Sequence, residues 1–146
     1  MLETSGEYLP KSRFEKHVYH KLKSLRDGKL SKYEDITQQD IQNLDNKTLK
    51  ELATSWGPFQ IMGYKSIKMN IPVNELYGDK ALEYGVQWIN KEYGYLLRQG
   101  RFADAFHYHN TGHIIPKNGK KFTTDPYYVD KGLKLMKTFK QLAKEQ

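Results

Sequence analysis

Ser55-Trp56-Gly57-Pro58-Phe59-Gln60-Ile61-Met62-Gly63 is the most apolar stretch of the chain, and its reading decides the fold. Gly57 and Gly63 suit close backbone approach, because a residue without Cβ lets another segment come near. Phe59 and Met62 suit core packing, and Gln60 contributes one polar amide that can point into a cleft. The plainer alternative for the stretch is a buried helix with an incidental Gln. Just before it, Thr48 and Glu51 form a capping-box pattern for a helix that buries Leu49, Leu52 and Ala53 and ends near Trp56-Gly57-Pro58. Pro58 then suits the first turn of a new helix, where its missing N–H is not needed, with Phe59, Ile61, Met62 and Ile67 turned inward.

Toward the N-terminus, Phe14, Val18, Leu22 and Leu25 recur at helical spacing, a stripe that stops before Asp27-Gly28. The beginning of that stretch also alternates as a strand does, so a short extended segment at Phe14 stays open. Gly28 to Asn46 is polar, with Tyr33, Ile36, Ile41 and Leu44 as its few anchors, and reads as loop with room for one short helix. Toward the C-terminus, Asp79 suits the cap of a long helix with Leu82, Val86, Ile89, Tyr93 and Leu96 or Leu97 on one face until Gly100. A short helix from Arg101 to about His109 turns Phe102, Ala105 and Phe106 inward and breaks at Asn110-Thr111-Gly112. After a loop with Pro116, Asn118 and Gly119, Asp125-Pro126 reads as cap and first position of a final helix. Val129, Leu133, Met136 and Phe139 or Lys140 form its stripe, and lysines crowd its C-terminal end, where cations suit the dipole. The expected class is mainly α, or α+β with a small hairpin, in a single domain over residues 1–146.

The 146 residues suit one core and one site. With 24 Lys and Arg against 17 Asp and Glu, the net charge of +7 favours encounter with a polyanion: nucleic acid, an anionic membrane surface or a bacterial wall. No block of five or six basic residues forms a nucleic-acid arm, so no nucleic-acid partner is expected. The chain has no cysteine, so no disulfide supports it. The opening residues MLETSGEYLPKSR contain no apolar run of signal-peptide length, and no stretch of about 18 apolar residues marks a membrane span. A protein made in the cytoplasm, acting as a monomer and not inserting stably into a membrane is the expectation. The 11 Tyr serve either as ordinary packing residues or as the lining of a groove for sugar rings.

Cleaving a glycosidic bond requires a carboxylic acid that is protonated near neutral pH, often with a second carboxylate to activate water or stabilise positive charge. Glu3 and Glu15 are candidates, each beside an apolar residue, Leu2 and Phe14. By residue type and spacing alone, each reads as a surface carboxylate. His107, His109 and His113 give an H-x-H-x-x-x-H pattern of a kind that can bind zinc. With no Cys, no H-E-x-x-H motif and a turn at Asn110 to Gly112, groove lining and ordinary hydrogen bonding are the expectation, and no metal or other cofactor is expected.

The Ser55–Gly63 stretch closely resembles the S-W-G-x-F-Q-I-M-G motif of the N-acetylmuramidase domain of phage endolysins and related bacterial wall hydrolases. More loosely, it resembles the G-L-M-Q-I segment of lytic transglycosylases and goose-type lysozymes. Leu2-Glu3-Thr4-Ser5-Gly6 resembles the family's V-E-x-x-G segment, and Arg13-Phe14-Glu15-Lys16-His17-Val18-Tyr19 its F-E-R-H-x-F segment. Tyr108-His109-Asn110-Thr111-Gly112 resembles the Y-N-x-G motif that closes the cleft in this superfamily. The similarity runs from Glu3 to about Leu142.

The resemblance implies a lysozyme-like domain that cuts bacterial peptidoglycan between N-acetylmuramic acid and N-acetylglucosamine. It makes Glu3 the general acid and Glu15 the second carboxylate, with Gln60, Tyr64, Tyr108, His109, Asn110 and Tyr127 lining the sugar groove. The sequence departs from the family in three ways. Only Met1 and Leu2 precede Glu3, where the family has a whole helix; the stretch from Glu3 to Glu15 is short; and His109 stands where the family usually has Tyr. These departures keep two alternatives in view, a glycan-binding module of the same fold with little or no catalysis, and a lytic transglycosylase.

Overall fold

Val18, Leu22 and Leu25 all lie buried on one face of α1 (Lys16–Arg26), as their spacing requires. Phe14 does not join them. It belongs to a short strand, β1 (Arg13–Phe14), and is 46% exposed, so the extended reading of that end is the one that forms. The computed structural model describes residues 12–144, which divide into one compact unit up to Trp88 and another from Ile89. The fold is mainly helical with small sheets.

In the first unit the polar segment after α1 holds more order than its composition suggests. β2 (Lys32–Tyr33) pairs antiparallel with β3 (Ile36–Thr37), and α2 (Gln38–Ile41) follows at once. Ile36 and Ile41 reach the core cluster built on Val18, Leu22, Leu25, Leu49 and Leu52. The Asp40 carboxylate accepts the Thr37 N–H at 2.8 Å, which closes the first turn of α2.

α3 (Asn46–Leu52) buries Leu49 and Leu52 as expected, but its cap is Asp45, whose Oδ1 accepts the Thr48 N–H at 2.8 Å. Thr48 is therefore inside the first turn and is not the cap. An Asp three residues earlier satisfies the same orphan amide, and a carboxylate does so with full charge at the positive end of the helix.

The second helix expected from Pro58 is absent. Thr54–Trp56 is β4 and Ile61–Met62 is β5, an antiparallel hairpin with Ser55 opposite Met62 and Trp56 opposite Ile61. The turn demands left-handed backbone at Gly57 (φ 73°) and Gln60 (φ 50°), which a helix cannot accommodate. β1 adds to the other edge of β4, with Arg13 opposite Ser55, so the sheet order is β1-β4-β5. Both motif glycines are required by space. A Cβ on Gly57 would strike the Leu76 carbonyl oxygen, and one on Gly63 the Glu51 carbonyl oxygen and Leu52 Cα. α4 (Lys65–Met69) and a 3-10 turn over Val73–Leu76 complete this part.

α5 (Ala81–Arg98) buries Tyr93 and Leu96 of the stripe its large residues suggest, but not its first members. Leu82 is 63% and Val86 53% exposed, while Ala81 and Gly85 face inward. The Phe59 ring lies on Gly85 so closely that a Cβ there would overlap it. Small residues win the inner face because they admit the aromatic ring of the hairpin turn. The helix loses regular geometry at Tyr93 (φ −145°, ψ 21°).

The second unit packs α6 (Phe102–Thr111) against α7 (Tyr128–Lys144). Val129 is buried and Leu133 and Met136 half-buried, on the stripe read from sequence, and the Phe106 ring lies against Gly132. α6 runs two residues past the expected break and ends at Gly112 (φ 81°). Asp125 accepts the Tyr127 N–H at 2.8 Å just ahead of α7, close to the capping role expected of it.

Gly63→Ala is expected to destabilise the protein by about 1–3 kcal/mol, because backbone and not a flexible side chain blocks the added methyl. Chemical denaturation measures this, and a change within about 0.5 kcal/mol, ordinary for a surface substitution, would refute it. The Asp45 carboxyl is held below its usual range by its hydrogen bonds from Thr48, side chain first and then backbone. A depressed folded value means stability that is present above the ordinary carboxylate range and lost as pH falls through the depressed value. The thermal midpoint of Asp45→Ala should therefore lie below wild type at pH 7, with the gap narrowing in strong acid.

Candidate active site

Glu3 lies outside the described residues. Glu15 sits at the junction of β1 and α1, where the chain is still extended (φ −112°, ψ 102°) and its N–H donates to the Ala53 carbonyl at 2.9 Å. Its side chain makes no cap bond. Instead the carboxylate pairs with Arg13 Nε at 3.0 Å and faces His17 Nδ1 at 3.8 Å, with 27% of the side chain exposed. The carboxylate thus lies between basic groups at the N-terminal end of α1.

Gln60 meets this region through Ser55. The Ser55 hydroxyl oxygen lies 3.1 Å from Gln60 Oε1 and 3.4 Å from the Arg13 carbonyl oxygen, while Gln60 Nε2 donates to the Gly57 carbonyl at 3.0 Å. Both ends of the amide are thus engaged within its own hairpin, where Gln60 stabilises the turn that carries it. Trp56 is held likewise, its indole N–H donating to the Glu51 carbonyl at 2.8 Å and its ring 4.5 Å from that of Tyr77. Tyr64, also expected in the sugar groove, is a core residue. It is 7% exposed, belongs to the core cluster and meets Tyr33 edge-on at 5.6 Å, and burial raises its hydroxyl pKa well above the usual phenol range.

In the second unit, α6 holds the long loop that follows it by an unusual set of bonds. Asp104 Oδ1 accepts the Ile115 N–H at 3.1 Å, His107 Nε2 the Phe122 N–H at 3.2 Å, and Asn110 Oδ1 the Thr124 N–H at 3.0 Å. The three acceptors are spaced three residues apart and so share one side of the helix. His107 is fully buried, and its Nδ1 lies 2.7 Å from the His113 carbonyl oxygen. A carbonyl only accepts and an amide N–H only donates, which makes the ring neutral with its proton on Nδ1. Asn110, expected to contact sugar, is a loop staple: its oxygen also accepts the Thr124 hydroxyl at 3.1 Å.

Tyr108 and His109 lie on α6 opposite Glu92 and Tyr93 of α5. The Tyr108 hydroxyl donates to Glu92 Oε2 at 3.4 Å, and the Tyr93 hydroxyl lies 2.7 Å from His109 Nδ1. Burial, then the nearby Glu92 carboxylate, raises the Tyr108 hydroxyl pKa. Tyr127 is 65% exposed, its ring available at the start of α7. Among the described residues no three His, Asp or Glu side chains come together as a metal site, and both ring nitrogens of His107 are already engaged.

Sequence reasoning brought Glu15 and the Ser55–Gly63 stretch to notice but not their link. Arg13 and Ser55, which make it, carried one signal: Arg13 precedes a segment with strand-like alternation. His107 and Tyr93 carried none, since one looked like a groove residue and the other like a core residue. No family model, curated protein or solved structure matches this chain.

Replacing His107 with Phe keeps the ring volume but leaves the Phe122 N–H and the His113 carbonyl without their partner. A loss of about 1–3 kcal/mol is expected, with faster amide exchange at Phe122. Unchanged exchange at that amide would show that the loop does not depend on the imidazole.

Proposed function

We propose that this protein cleaves the glycan strands of bacterial peptidoglycan at the β-1,4 bond between N-acetylmuramic acid and N-acetylglucosamine. The observation that carries this reading is the β1-β4-β5 sheet. It joins Arg13-Phe14-Glu15 to Ser55-Trp56, so the two segments that resemble the N-acetylmuramidase domain are neighbours in space as well as in family order. A resemblance arising from composition alone gives no reason for that pairing.

In this reading Glu3 is the acid. It delivers its proton to the glycosidic oxygen as the C1–O bond breaks, and positive charge develops at the muramic C1 and ring oxygen. Glu15, ion-paired and anionic in role, supports that charge or takes a proton from the attacking water. The lysozyme-like fold belongs to the same proposal, as does action on the wall by a basic, monomeric protein. A glycan-binding module that does not cleave is the second reading.

Purified peptidoglycan incubated with wild type, Glu3→Gln and Glu15→Gln, with soluble muropeptides read by mass spectrometry, separates these outcomes. Glu3→Gln should lower release by about a hundredfold or more, the range of a general acid, and Glu15→Gln by about tenfold or more. Equal release by wild type and Glu3→Gln would overturn the assignment of the acid. Binding without release by wild type would favour the module, and anhydro ends would identify transglycosylation.

A further inference from the structure

The Tyr19 ring on α1 draws two lysine ammoniums: Lys23 Nζ lies 5.5 Å and Lys50 Nζ 5.8 Å from its centroid. Lys23 stands one turn further along α1 and Lys50 comes from α3, so the packing of the two helices gathers the cations. Tyr19 is half-buried against the core cluster, which holds its ring in place. Beside it lie the 46% exposed Phe14 ring, at 5.9 Å, and the His20 ring, at 5.8 Å.

Like charges gathered on one ring repel, and a cation–π contact near water offsets only a small part of that repulsion. Among the described residues neither ammonium has a carboxylate or hydrogen-bond partner. Glu15 pairs with Arg13, Asp27 with Arg26, and the Asp45 carboxylate receives the Thr48 amide. Two cations over one ring suit a single carboxylate, held by charge-assisted N–H donation. A nucleic acid fits less well, because it is followed by a track of cations and successive rings, and this patch provides one position.

We propose that Tyr19, Lys23 and Lys50 recognise a carboxylate of the peptide borne by muramic acid, with Phe14 against the apolar atoms of that peptide. The inference rests on the glycan-cleaving reading, which supplies the ligand. In that reading Glu15 acts at the muramic C1, and the peptide of peptidoglycan hangs from the same sugar. The Tyr19 N–H donates to the Glu15 carbonyl at 3.1 Å, so the patch begins one helical turn, roughly 5.4 Å, beyond Glu15 along α1. The consequence is a preference among substrates: strands with acidic peptides are taken ahead of strands whose peptides are amidated.

A disaccharide–peptide of N-acetylglucosamine joined to peptide-bearing N-acetylmuramic acid holds no muramic-to-glucosamine bond to cut, so its binding is measurable on the intact protein. Titration calorimetry at low salt compares this probe with its carboxylates free and with them converted to amides. Wild type should bind the free form about tenfold more tightly, and Lys23→Gln/Lys50→Gln should bind both forms alike. Lys21→Gln/Lys120→Gln, which removes the same charge from exposed lysines elsewhere, should keep the preference. In NMR titrations of wild type the free form should shift Tyr19, Lys23 and Lys50, which decides even if a variant folds poorly. No preference in wild type, a preference that survives loss of Lys23 and Lys50, or equal loss in the Lys21 and Lys120 variant would overturn the inference. So would a single-stranded oligonucleotide bound more tightly than the free form and lost with the same two lysines, which would give the patch to a nucleic acid. Failure of Glu3→Gln to lower muropeptide release counts against the glycan-cleaving reading and leaves the binding preference standing.

Discussion

The pairing of Arg13-Phe14 with Thr54-Ser55 is the constraint on which the first unit depends. It closes a loop of some forty residues, and loop closure carries an entropic cost that grows slowly with length. Two strand pairs cannot offset that cost alone. The burial of Val18, Leu22 and Leu25 against Leu49 and Leu52 can, because α1 begins directly after β1 and α3 ends directly before β4. Strand register and helix packing are thus one event: wherever α1 settles on α3, Glu15 arrives beside Ala53. The ion pair of Glu15 with Arg13 follows from this placement and does not create it.

Periodicity carried the parts of the fold in which large apolar residues do the burying. Val18, Leu22 and Leu25 in α1, and Val129, Leu133 and Met136 in α7, lie where their spacing puts them. The same rule held for Tyr93 and Leu96 of α5 but failed on its first turns, where Leu82 and Val86 face solvent and Gly85 faces Phe59. Hydrophobic spacing finds the face with the greatest payload, but a close approach selects the face with the smallest side chains, and nothing in the local pattern tells the two apart. The hairpin at Gly57 to Gln60 was hidden for a related reason. Pro58 is as acceptable in a turn as in a first helical turn, and the left-handed backbone at Gln60 is not advertised by a residue type that rarely adopts it.

The candidate site was legible as a list and illegible as a geometry. Glu15 and the Ser55–Gly63 stretch were both singled out, yet Ser55, which bridges Arg13 and Gln60, drew no notice of its own. Polar residues set among apolar ones invited a binding role, and the structure gives several of them an internal one. Gln60 holds its own turn, while His107 and Asn110 hold a loop. A buried polar side chain costs too much to leave without a partner, so backbone groups nearby compete for it before any ligand does. A sequence reading does not see that competition: for His107 and Asn110 the competing amides belong to residues more than ten positions away, and for Gln60 the partner carbonyl of Gly57 comes near only through a turn that the pattern hid.

The row of acceptors on α6 has a consequence for how the loop tolerates damage. A strand held by a ladder loses its register when the chain is cut, since every rung depends on its neighbours. The segment after α6 is hung from three separate side chains, and Lys117, Lys120 and Lys121 stand exposed between the attachments at Ile115 and Phe122. A protease specific for lysine would find its bonds there, and a cut after Lys117 or Lys120 would leave the Ile115 and Phe122 amides as they are, with both new ends still clipped to the same helix. The loop is therefore a place where the chain can be nicked, or lengthened by insertion, while its two flanks keep their positions on α6.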